Sequence, residues 1–108
     1  MDYKILYADL TKKLENEIPI TAYPIRELVQ IFRDKGNPIN LKTKLTITSV
    51  FNSGDISGIL CTINGNDDET TLACSLTHLI FEPKFHLYKD IFDYQQKRFK
   101  RIKQLNQL

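Results

Sequence analysis

Residues 45–81 constrain the fold more than any other stretch, because only there do apolar residues alternate with polar ones. The first run, Leu45-Thr46-Ile47-Thr48-Ser49-Val50-Phe51, is rich in β-branched residues, which suit a pleated, half-buried surface. A turn cluster at Asn52-Ser53-Gly54-Asp55 separates it from a second run ending at Ile63. A polar turn over residues 64–69 leads to a third run, which closes at Phe81 before Glu82-Pro83. Three such runs joined by short turns predict a three-stranded antiparallel meander over residues 44–81.

Period-2 alternation places Leu45, Ile47, Ser49 and Phe51 on one face of the first strand. It groups Ile59, Cys61 and Ile63 in the second, and Leu72, Cys74 and Leu76 in the third. A hairpin stacking these faces brings Cys61 and Cys74 near one another in one of its registers, and the sequence does not fix which register is taken. Gly54 supplies a left-handed turn conformation, and Gly58 marks a bulge or a close backbone approach.

This layout resembles the SH3-like small barrels of the Tudor or KOW kind, in which a strand, a glycine-containing turn and two further strands wrap a compact core. The likeness covers roughly a third of the chain and is one of layout. It lacks the aromatic pairs with which such modules grip ligands, so it implies no ligand here. The alternative is a plain three-stranded sheet with helices packed on one face.

Helices flank the meander. Tyr3, Leu6, Tyr7, Leu10, Leu14 and Ile18 recur at spacings of three and four, which predicts an amphipathic helix ending near Pro19. The segment from Pro19 to Tyr23 reads as a break. Pro24 suits the first turn of a second helix with Ile25, Leu28, Val29 and Phe32 on one face. Gly36 takes its left-handed cap and Pro38 prevents resumption. Its Arg26 and Arg33 are offset by Glu27 and Asp34, so it reads as a solvated face rather than a DNA-recognition helix. Residues 1–36 thus form a helical part, and residues 85–108 a long basic C-terminal helix. The expected class is α+β, one domain of 108 residues, within the usual range of roughly 100–200 residues per domain.

The function classes narrow by exclusion. No apolar run approaches the roughly 20 residues of a membrane span. The first residues lack the basic and apolar regions of a signal peptide, so a cytoplasmic location without membrane contact is expected. Cys61, Cys74, His78 and His86 are ligand-type residues, but their spacing is not that of a zinc finger. Two mid-strand thiols on a core face are expected to be protonated and inert, which argues against a cysteine nucleophile. No glycine-rich phosphate loop is present, so neither a cofactor nor an enzyme activity is expected. The turn with Asn64, Asn66 and Asp68 echoes a calcium loop, but Glu69 replaces its glycine and Ser75 its final acid.

What remains is a binding role. The chain is expected to be a non-catalytic module that meets another protein through its sheet or its C-terminal helix. Pairing of that helix with a second copy would make a homo-oligomer. The competing expectation is a nucleic-acid accessory protein. It rests on Lys97, Arg98, Lys100, Arg101 and Lys103, five cations in seven residues, against a net charge of only +2.

Overall fold

The computed structural model describes residues 3–64 and 71–107. The acidic turn with its calcium-loop echo falls almost wholly on residues 65–70, outside the described residues. The fold is α+β, with helices around a curled antiparallel sheet and a helix at the C-terminal end. Its sheet has five strands rather than three.

Helix α1 (Tyr3–Glu15) buries Tyr7, Leu10 and Leu14 of the stripe read from the sequence, and Thr11 beside them. Strand β1 (Ile20–Pro24) occupies the segment read as a break. Its flanking prolines look like helix punctuation, yet Ile20 and Ala22 point into the core while Thr21 points out. Pairing decides its state. Ile20 lies opposite Ile47 and Ala22 opposite Leu45, while Tyr23 lies opposite Ile80. The strand order is β4 (Thr71–Ser75), β3 (Ile59–Asn64), β2 (Leu45–Asn52), β1, β5 (Leu79–Ile80), so β1 lies between the meander and the last strand. The N-terminal part is therefore not purely helical.

Helix α2 (Arg26–Asp34) begins after Pro24, which ends β1 and does not sit in the helix's first turn. Leu28 and Phe32 are buried. Gly36 adopts φ +78°. The Gly36 amide donates to the Arg33 carbonyl at 3.0 Å and the Asn37 amide to that of Phe32 at 2.9 Å, which satisfies the orphan carbonyls of the last turn.

Strand β2 (Leu45–Asn52) breaks strict alternation. Its register against β3 (Ile59–Asn64) slips between Ile47 and Ser49. A bulge inserts a residue and turns the strand, so Val50 enters the core while Phe51 faces outward. The expected turn contains a one-turn helix, α3 (Gly54–Ser57). Strand β4 (Thr71–Ser75) pairs with β3 and sets Cys61 opposite Cys74, as the hairpin reading anticipated. A 3-10 turn, Leu76–His78, then leads to β5 (Leu79–Ile80). Helix α4 spans Tyr88–Asn106 and buries Ile91, Tyr94 and Arg98. Side chains from Tyr7 to Tyr94 form one contiguous apolar core.

Candidate interaction surfaces

The five cations of the basic run have different fates. Arg98 is 3% exposed. It follows Ile91 and Tyr94 at spacings of seven and four, which puts it on the buried stripe of α4. There its guanidinium donates to the Tyr7 hydroxyl at 3.1 Å and to the backbone carbonyls of Asp55 and Ile56. Arg101 clamps the Asp55 carboxylate with its Nε and Nη2, and its guanidinium lies 5.1 Å from the centroid of the Tyr3 ring. These two arginines therefore join α4 to α1 and α3; Arg98 is enclosed there, while the Arg101 side chain stays 27% exposed. Lys100 and Lys103 are exposed and Lys97 is half-buried. Lys97 lines a shallow groove with Asp90 and Asp93.

Gly58 and Tyr94 complete this joint. Gly58 takes φ +72° and ψ −150°. The Tyr94 hydroxyl accepts from the Ile59 amide at 2.8 Å, and burial pushes its own pKa up to about 12. Asp55 is held below the ordinary carboxylate value of 3.8, chiefly by the hydrogen bonds from Arg101, with partial desolvation opposing and the charges of Arg101 and Arg98 reinforcing. A depressed folded pKa contributes stability that is fully present above the unfolded value and is lost as pH falls through the folded one. Urea midpoints recorded from pH 6 to pH 2.5 should therefore show Asp55→Asn weaker than wild type near neutrality. Below about pH 4 the two should converge. A gap that persists unchanged in acid would contradict the pairing.

The four ligand-type residues do not converge on one point. Cys61 and Cys74 are buried free thiols, and burial drives both pKa values far up, that of Cys74 to about 12. A protonated, enclosed thiol is a poor ligand and a poor nucleophile. His86 pairs instead with Glu17 at 2.9 Å, and His78 sits in the 3-10 turn. Among the described residues, no group of three or more metal-ligating side chains forms. Among them too, no helix is long and apolar enough to cross a membrane.

Two apolar grooves stand out among the described residues, and the sequence pattern singled out neither. The first, about 190 Å³, runs between β5 and α4 and is lined by Leu79, Ile80, Phe81, Tyr88, Phe92 and Gln95 among others. Ile80 is 52% exposed, and Phe92 and Phe99 are each 46% exposed. Phe92 stacks on Tyr88 with centroids 6.3 Å apart. Seven residues, two helical turns or about 10 Å, separate Phe92 from Phe99 on the same side of α4. Gln95 lies between them and is half-buried, because its amide donates to the carbonyls of Leu76 at 3.0 Å and Leu79 at 2.8 Å. The second groove, about 260 Å³, lies between α2 and β4.

No protein-family model, curated protein or solved structure matches this chain.

Proposed function

We propose that the protein is a non-catalytic interaction module that docks another protein on the β5–α4 face. The observation that carries this reading is half-exposed Ile80 and Phe92 lining an apolar groove, with half-exposed Phe99 two helical turns further along α4. Large apolar side chains scattered singly on a surface need no explanation, but aligned ones beside a concavity mark a contact site. Aromatic side chains are also the usual anchors of interface energy. We further read the sheet as an SH3-like small barrel, with α2 inserted between its first two strands. A four-strand meander whose fifth strand returns through a 3-10 turn to pair with β1 supports that reading.

The test is co-purification from the source cells of the tagged wild type and of Phe92→Glu/Phe99→Glu. The account expects a discrete partner with the wild type, lost with the variant while its circular dichroism and thermal midpoint stay unchanged. Equal recovery by both proteins would contradict it.

A second reading, nucleic-acid binding, is favoured by exposed Lys100 and Lys103, which form no ion pair among the described residues. With Arg98 and Arg101 engaged internally, Lys97, Lys100 and Lys103 are left to meet phosphates. If duplex DNA binds, log Kd against log salt should then change with a slope of magnitude about 2.7, rather than the roughly 4.5 that five phosphate contacts would give. No binding at low salt would end this reading.

A further inference from the structure

We propose that the groove between α2 and the outer edge of β4 receives an extended peptide, which adds to the sheet as a strand and carries an apolar anchor and a carboxylate. This site is separate from the β5–α4 row and stands or fails independently of it.

The first argument is the contrast between the two ends of the sheet. Strand β5 is two residues long, and Gln95 of α4 caps the Leu79 carbonyl. That end is blunted. Strand β4 is five residues long, and no described strand pairs with its outer edge. Its sequence, Thr71-Leu72-Ala73-Cys74-Ser75, holds no charge and no proline, the devices that commonly deter strand addition. An unguarded edge offers backbone donors and acceptors to an incoming strand.

The second argument is the groove beside that edge. Leu28 and Ile31 of α2, and Lys35 at its C-terminal cap, line the groove with Leu72 and Cys74 of β4, and His78 also contributes to the wall. A strand lying between a helix and a sheet edge presents every second side chain to one wall, so an apolar residue at that period fits this lining. The third argument is charge. Among the described residues no acidic side chain lines the groove, and Lys35 makes no ion pair among them. A peptide carboxylate supplies the missing complement, from an aspartate, a glutamate or a chain terminus.

The test uses octapeptides of alternating valine and threonine that carry one aspartate, one asparagine or one lysine, titrated into 15N-labelled full-length protein. The expected result is amide shifts over residues 71–75 and 28–35, with the aspartate peptide bound about tenfold more tightly than the lysine peptide. Lys35→Glu, an exposed substitution, should invert that preference. Phe92→Glu/Phe99→Glu should leave it unchanged. Equal affinity for the three peptides, shifts confined to other surfaces, or no binding would overturn the proposal. So would a concentration-dependent dimer in sedimentation whose β4 amides respond to dilution but not to peptide, since β4 then pairs with a second copy.

Discussion

Replacing Gly58 with alanine should destabilise the protein by about 4 kcal/mol, or prevent it from folding. Two effects combine. The backbone at φ +72°, ψ −150° lies in a region that is essentially glycine-only, and occupying it with a side chain costs about 1–3 kcal/mol. A Cβ there would also stand 2.6 Å from the Tyr94 hydroxyl and 2.8 Å from Arg98 Nε. Neither atom can withdraw freely, because Tyr94 holds the Ile59 amide and Arg98 holds two carbonyls of α3. Gly54→Ala separates the two effects. Gly54 has φ +83° but nothing within 4 Å of the added carbon, so only about 1 kcal/mol should be lost. Similar urea midpoints for the two variants would show that the close approach at Gly58 carries no energy.

Arg98→Ala should cost about 3 kcal/mol of unfolding free energy. Truncation leaves the Tyr7 hydroxyl and the carbonyls of Asp55 and Ile56 without their donor, at about 1 kcal/mol for each acceptor. It also empties the space filled by the aliphatic stem. Arg98→Lys should recover less than half of the loss, because a single ammonium cannot reproduce the planar fork. Lys100→Ala, two residues away on the exposed side of the same helix, should change stability by less than about 0.5 kcal/mol. If Arg98→Ala were as mild as Lys100→Ala, the joint between α1, α3 and α4 would be incidental. Charge reversal at Arg98 or Arg101 is consequently a poor probe of binding, since lost binding would follow from lost structure.

The class and the helices were legible in the sequence because their signals are local. The 3–4 spacing of Tyr7, Leu10 and Leu14 and the glycine stop at Gly36 act within a few residues. β1 was hidden because the four residues between its prolines carry little pattern, and its strand state comes from partners more than 20 positions away. The bulge in β2 was equally hidden. Nothing in Thr48-Ser49 announces the slip that separates Phe51, turned to solvent, from buried Leu45 and Ile47, with which alternation groups it. Arg98 carries two conflicting signals. Its charge placed it among surface cations, whereas its spacing from Ile91 and Tyr94 placed it on the buried stripe. An arginine at a core position with tyrosines on the same stripe is a readable signal for an internal anchor. The β5–α4 groove was not readable, because it depends on a two-residue strand meeting a helix that begins eight residues later.

The most direct test of the interaction reading is photocrosslinking in the source cell, with a benzophenone side chain placed at Phe92 and, as a control on the polar side of α4, at Lys100. The account predicts a discrete adduct from position 92 and none from position 100. Adducts of equal yield from both positions, or none from position 92, would contradict a docking face on β5 and α4.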